Sequence, residues 1–196
     1  MQSDVQLYHQ AIKLLNPKGT QEEWDYFESG FVIEQYKPRA YFIEADKKHH
    51  RLGFVTSGLV RGYYLNDLGE DITTTFAAEG GWATDYPSLL LHKPSRYNFQ
   101  CLEPTTIISV SFDHIQKGYD LFVGFERNGR LIAEEALKQQ QKRIESFQFA
   151  SAEQRYLDFV NEHPQLFNRI SLTHLSSYLG IERPSLSRIR KKLAGL

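Results

Sequence analysis

The side chains best suited to chemistry lie near the C-terminal end of the sequence, where basic residues are concentrated. From Glu182 onward five basic residues stand against one acidic residue. A guanidinium on a helix that enters the major groove of DNA can donate two hydrogen bonds to guanine N7 and O6. We therefore predict DNA base contacts from Arg183, Ser187 and Arg188, with Arg188 as the first choice.

Other polar residues of this segment suit the phosphate backbone, which positions a protein on the duplex without specifying sequence. The predicted phosphate contacts are Thr173, His174, Ser176, Ser185, Arg190, Lys191 and Lys192. Basic residues at the end of a helix also complement its dipole without any DNA. A helical hairpin with no role in DNA binding therefore remains an alternative.

Two helices joined by a glycine turn must position these residues. Gly180 can adopt the left-handed conformation that ends a helix, and Pro184 falls in the first turn of the next helix, where a missing N–H costs little. Apolar residues three and four apart give each helix one buried face: Leu172, Leu175 and Leu179 in the first, and Leu186, Ile189 and Leu193 in the second. This pattern predicts a helix-turn-helix.

A long helix is predicted from the low 120s to about residue 149, because residues 121–149 contain no proline and are rich in helix-forming residues. Five residues at helical spacing share one side of it: Ile132, Ala136, Gln140, Ile144 and Phe147. Such a helix in a small protein needs a partner surface. That surface is either the rest of the same chain or a second copy, paired along a dimer seam.

Short β-rich runs separated by turn signals occupy residues 31–112. Strands at regular spacings of about ten residues predict a β-sandwich, jelly roll or barrel. The segment 66–69 suits a hairpin turn, since Gly69 can take a positive φ without steric cost.

Composition narrows the class of protein further. The 196 residues include 23 basic and 24 acidic side chains, but residues 151–196 have net charge +3 and residues 1–150 have −4. The single Cys101 excludes an intramolecular disulfide, and a cluster of the Fnr iron–sulfur type needs several cysteines. We find no signal peptide and no apolar run of about 18 residues, so we expect a cytoplasmic protein with no membrane partner.

The sequence resembles the Crp/Fnr family of transcription regulators, especially its short Bacteroidetes-type members. The resemblance is carried by FVTSGLVRGYYLNDLGEDITTTF (54–76), QCLEPTTIISV (100–110) and, most specifically, SAEQRYLDFVNEHPQLFNRISLTHLSSYLGIERPSLSRIRKKL (151–193). It implies an α+β fold in three parts. These are an N-terminal β-roll or jelly-roll sensor domain (1–118), a long dimerisation helix (119–149) and a C-terminal helix-turn-helix domain (150–196).

The resemblance also implies partners. A homodimer would bind double-stranded DNA at a pseudo-palindromic operator, with RNA polymerase as a further partner. The two arginine-type base contacts of the family fall on Arg183 and Arg188. The usual acidic residue after the first of these arginines is Pro184 here. We therefore expect a different base preference at that position.

The sensor region departs from the cyclic-nucleotide-binding members of the family. Residues 80–100 lack their Gly-Glu pair, and the position of their phosphate-binding arginine falls on Ser95, with Arg96 one residue away on the opposite strand face. We therefore do not expect cyclic AMP binding, and we predict no cofactor; the effector, if there is one, is unknown. A pocket near Trp82, Tyr86, Arg96 and Tyr97 is one hypothesis, and ordinary β-roll core is the other.

The sequence also bears on the end of the fold and on two alternative functions. The sequence ends soon after Leu193, so we expect no downstream β-wing. An effector-binding or interaction module with vestigial DNA binding is one alternative. A cupin metalloenzyme is another, but the adjacent His49 and His50 would face opposite sides of a strand. We therefore predict neither catalytic residues nor a metal site, and no enzymatic activity.

Overall fold

Two antiparallel sheets of four strands each form the body of the protein in a computed structural model that describes residues 2–15 and 17–193. The first sheet has the order β1-β8-β3-β6 and the second has the order β2-β7-β4-β5. The strands are β1 (Phe31–Tyr36), β2 (Tyr41–Ile43), β3 (Arg51–Ser57), β4 (Val60–Leu65), β5 (Asp71–Ala77), β6 (Trp82–Ala83), β7 (Asn98–Cys101) and β8 (Thr105–Ser111). Buried side chains from both sheets share one core, which includes Val55, Val60 and Ile107.

The hairpin between β4 and β5 closes through the predicted turn. The Asn66 side-chain oxygen accepts hydrogen bonds from the backbone N–H groups of Leu68 and Glu70, and Gly69 has φ +76°. An asparagine side chain that bonds backbone groups ahead of it mimics a backbone turn. The hairpin prediction is therefore confirmed.

Helices cover the outer side of the first sheet. They are α1 (Gln2–Leu15), α2 (Gln21–Ser29) and α4 (Phe112–Leu121), and a further short helix, α3 (Tyr86–Leu90), follows β6. On α1, Tyr8 and Ile12 are buried against Phe54 of β3 and Ile108 of β8. Alternate residues of a strand face opposite sides of its sheet. Phe54 therefore meets α1 while Val55 faces the inner core.

The chain then continues into helices, as predicted. A break at Phe122 (φ −135°, ψ 114°) precedes α5 (Val123–Phe149), which confirms the long helix. The remaining elements are α6 (Ala152–Glu162), a 3₁₀ turn (Pro164–Leu166), α7 (Leu172–Leu179) and α8 (Arg183–Leu193). The α+β fold class predicted from the sequence is confirmed.

The predicted absence of a downstream β-wing concerns residues after Leu193 and lies outside the described residues. Among the residues that the structure describes, no helix is long and apolar enough to cross a membrane.

Candidate nucleic-acid interface

The predicted helix-turn-helix forms between α7 and α8. Gly180 ends α7 in the left-handed conformation (φ +59°, ψ +41°), and the N–H of Ile181 donates to the Ser176 carbonyl over 3.0 Å. At the other end, the Ser171 hydroxyl accepts from the N–H of His174. Both ends of α7 thus satisfy backbone groups that a helix leaves unpaired, which fixes its length.

The buried faces of the two helices are largely those predicted from the spacing. Leu175, Leu179 and Leu186 lie in a single core with side chains of α6, and Ile189 packs against it. Leu193 is the exception, because its side chain is 41% exposed at the end of α8. The spacing placed Leu193 on the correct side of the helix, but no described residue covers that position.

The outer side of α8 is basic and exposed. Arg183, Arg188 and Lys191 are exposed, and none of them forms an ion pair with a residue in 2–15 or 17–193. Ser187 and Ser185 are half-buried beside them. The predicted base-contacting residues therefore share one accessible surface with cationic groups available to a polyanion.

Two of the predicted phosphate contacts have partners within the chain. The Lys192 ammonium donates to the Glu153 carboxylate of α6 over 2.8 Å, and the Arg190 guanidinium stacks 4.9 Å from the Phe167 ring centroid. An exposed ion pair contributes little free energy and is screened by salt. Lys192 can therefore exchange Glu153 for a phosphate at small cost.

The three predicted phosphate contacts on α7 do not share one surface. Thr173 is exposed, whereas the buried Ser176 donates its hydroxyl to the Thr173 carbonyl within the helix. His174 is half-buried near Asp71 and Arg61 of the β4–β5 hairpin. In this conformation Thr173 is the one of the three with an exposed side chain.

The helix α7 rests on the edge of β5. The Ser177 hydroxyl donates to the Asp71 carbonyl and accepts from the Thr73 N–H, both over 2.9 Å, as a neighbouring strand would. Arg143 of α5 donates to the carbonyl of Thr73. The open edge of the second sheet is thereby covered, which also protects it from pairing with other chains.

An arginine-centred ion cluster fixes the segment before α7. Arg169 donates to the carboxylates of Glu79 and Glu103, and Glu79 also accepts from the Gly58 N–H. Burial raises the pKa of Glu79, but its bonds to Arg169 and to backbone N–H groups leave that pKa lowered overall. This cluster was not predicted from the sequence, because its members lie far apart in the chain.

Under α7, the hairpin contains a buried arginine. Arg61 is 1% exposed; it donates to the Thr73 hydroxyl and to the Asp71 carboxylate, and its guanidinium carbon lies 4.5 Å from the Tyr63 ring centroid. The hydrogen bond from Arg61 lowers the pKa of Asp71. These contacts tie the two strands beneath α7 together.

The environment of His174 makes the free energy of unfolding depend on pH. Burial and the Arg61 guanidinium lower its pKa, and the Asp71 carboxylate opposes them. As the pH falls below about 6.5, this histidine is protonated in the unfolded chain before it is protonated in the folded chain. Acidification therefore lowers the free energy of unfolding relative to its value above that pH. We expect His174→Gln to lose less unfolding free energy than the wild type between pH 7.5 and pH 5.5, measured by urea unfolding. Identical losses in the two proteins would contradict this.

The four residues of the hypothetical effector pocket are not brought together. Trp82 faces outward against Phe54 and α1, while Tyr97 packs beside the inner core, and Arg96 is exposed. Tyr86 lies against Phe112. The alternation of Trp82 and Ala83 along β6 turns the tryptophan away from the interior, so a pocket containing all four side chains would require rearrangement.

Ser95 belongs to a buried polar network that also includes Asp85. The Ser95 side chain is buried, and its hydroxyl is 2.8 Å from the carboxylate of the buried Asp85. The Asp85 carboxylate also accepts from the N–H of Ser88, at the start of α3. A buried carboxylate at this place disfavours an anionic ligand in this conformation.

The helix α5 leaves much of its surface uncovered. Phe125 is its one fully buried residue among those described, and Ala136, Gln140 and Ile144 of the predicted seam are exposed. The other two seam residues have contacts within the chain: Ile132 packs against the cluster around Tyr8, and Phe147 lies against Gly180. The middle of the predicted seam is therefore accessible to a partner.

Comparisons with known proteins place this arrangement among solved structures. FixK2 from Bradyrhizobium japonicum is 18% identical, with a TM-score of 0.72 over 84% of this chain and 85% of that one. CLP from Xanthomonas campestris, described as a c-di-GMP-responsive global regulator, is 14% identical, with a TM-score of 0.69 over 90% and 92%. A Crp/Fnr-family regulator from Eubacterium rectale is 16% identical, with a TM-score of 0.69 over 93% and 88%.

The comparisons by sequence give no match. No family model matches the chain, and no curated protein matches it. The likeness to the solved structures covers most of the chain in each case. At these identities it establishes the fold, and it confirms at that level the predicted resemblance to Crp/Fnr regulators.

Proposed function

We propose that the protein is a non-enzymatic, sequence-specific DNA-binding transcription regulator of the Crp/Fnr type, acting as a homodimer in the cytoplasm. The exposed basic side of α8, which carries Arg183, Arg188 and Lys191, supports this proposal most directly. It lies on the second helix of a helix-turn-helix, the element that enters the major groove in proteins of this architecture. The domain division at residues 118 and 149 belongs to the same proposal.

The distribution of charge supports DNA as the partner. The last 46 residues have net charge +3 in a chain of net charge −1. In a dimer the basic surface of α8 would occur twice, while the acidic body would limit binding to DNA of arbitrary sequence. A pseudo-palindromic operator follows from two symmetry-related copies of α8.

The dimer is supported by the exposed middle of α5. Ala136, Gln140 and Ile144 lie four residues apart, so they share one side of the helix, which can pair with a second helix. The sensor domain would then act without cyclic AMP, in line with the Asp85–Ser95 network. A second candidate is an interaction module that has lost DNA binding, but it leaves the exposed arginines of α8 without a role.

Two alanine variants separate the proposed base contact from a phosphate contact. On the preferred duplex selected from a random library, we expect Arg188→Ala to weaken binding by about 1–3 kcal/mol and to relax the preference at one base pair. We expect Lys191→Ala to weaken all duplexes alike and to reduce the slope of log affinity against log salt by about 1. Fluorescence anisotropy titrations measure both effects. Equal losses on every sequence for both variants would contradict the assigned roles.

A further inference from the structure

The connection between the long helix and the C-terminal helices is very short. Between the end of α5 at Phe149 and the start of α6 at Ala152 lie Ala150, which is extended (φ −97°, ψ 140°), and Ser151. The Ser151 hydroxyl accepts from the Gln154 N–H and so belongs to the start of α6. Any change in the angle between α5 and α6, the first of the three C-terminal helices, must therefore occur at these two residues.

One side chain bridges this connection to the turn of the helix-turn-helix. Arg155 donates from Nη1 to the Ala150 carbonyl (2.9 Å), from Nε to the Leu179 carbonyl (2.9 Å) and from Nη2 to the Gly180 carbonyl (3.3 Å). The carbonyls at helix C-termini lack intrahelical partners and carry partial negative charge. A single planar guanidinium thus holds the ends of α5 and α7 together, which a lysine ammonium has no geometry to do.

The surrounding contacts leave little room for an alternative angle. A Cβ on Gly180 would lie 2.6 Å from a ring carbon of Phe147, so the end of α5 touches the turn directly. The Arg155 guanidinium carbon lies 5.3 Å from the centroid of the Phe147 ring. Arg143 donates to the Tyr178 carbonyl over 3.0 Å. Rotation about the connection would disturb these contacts together with the three bonds of Arg155.

This geometry matters for a dimer that binds two half-sites. The two recognition helices must be separated by one turn of DNA, about 34–36 Å or 10–10.5 base pairs. That separation depends on the angle between α5, which would form the dimer seam, and the helix-turn-helix. We propose that Arg155 is a positioning residue that fixes this angle and so determines the half-site spacing that the dimer accepts. The inference rests on the proposed DNA-binding function.

The test measures spacing preference with the full chain. Duplexes carry the selected palindrome with its half-sites at the preferred spacing, or moved by one or two base pairs, and a further duplex carries one half-site. We expect the wild type to prefer its own spacing about tenfold or more over a one-base-pair change. We expect Arg155→Lys to reduce that ratio to about threefold or less, while affinity for the single half-site stays within about twofold. Arg39→Lys, at an exposed arginine between β1 and β2, should keep the wild-type ratio.

Three other outcomes would contradict the role proposed for Arg155. An Arg155→Lys protein with the wild-type spacing ratio would overturn it, as would equal losses on the half-site and on every full site. If circular dichroism showed that neither Arg155→Lys nor Arg155→Gln folds, Arg155 would be required for folding and would not be a positioning residue. If the wild type itself preferred no palindrome, the proposed function would fail, and this inference with it.

Discussion

Leu59→Ala is expected to lower the free energy of unfolding by about 2–5 kcal/mol and to weaken DNA binding, although Leu59 precedes β4 in the β domain. Its side chain is 0% exposed, and it packs in the core of the helix-turn-helix beside Leu166, Leu175 and Leu179. Removing a buried leucine loses the transfer free energy of its methyl groups and leaves a cavity. The effect should be large because a three-helix block of this size has little core of its own.

Urea unfolding measures the loss, and hydrogen exchange shows where it occurs. Amides of α7 and α8 should exchange faster in the variant than in the wild type. Leu68→Ala, in the turn between β4 and β5, is the control. Leu68 is 83% exposed, so this variant should change the free energy of unfolding by no more than about 0.5 kcal/mol. If both variants were equally stable, Leu59 would not be part of the shared core.

A charge in the middle of the proposed dimer seam should have the second large effect. Ile144 is 51% exposed in the single chain, so Ile144→Glu should change the stability of the monomer little. In a dimer the glutamate would be buried against its own copy, and burial of unpaired like charges is costly. We therefore expect the variant to be monomeric and to lose about 100-fold or more in affinity for a palindrome, because it loses the second half-site.

Sedimentation velocity and anisotropy titrations test this pair of expectations. Leu91→Glu provides a matched control, since Leu91 is 62% exposed on the β domain and the chemical change is the same. The control should remain dimeric and keep its DNA affinity. A dimeric Ile144→Glu protein with undiminished affinity for the palindrome would place the dimer interface elsewhere.

The helix-turn-helix could be predicted from the sequence because its determinants are local. Leu175, Leu179 and Leu186 follow helical spacing, and Gly180 marks the turn by a conformation that other residues adopt at a cost. The same spacing predicted a buried Leu193, which is 41% exposed. Periodicity identifies the side of a helix, but it does not show whether another element covers that side at the helix end.

The attachment of the helix-turn-helix to the β domain could not be predicted, because it depends on contacts between distant residues. Arg169 lies 90 residues from Glu79, and Ser177 lies 106 residues from Asp71. A buried cation such as Arg61 is also invisible to patterns that place charged residues on the surface. Arg61 is stabilised by Thr73 and Asp71, and these two partners become apparent only once β4 and β5 are paired.

The most direct test of the central claim is an anisotropy titration of the wild-type chain on labelled palindromic duplexes and a scrambled duplex, at about 50 and 200 mM salt. We expect one palindrome to bind about 1,000-fold or more tightly than the scrambled duplex. We also expect affinity to fall steeply as the salt concentration rises, because the cations of α8 displace counterions from phosphates. Weak binding of equal strength to every duplex would contradict it.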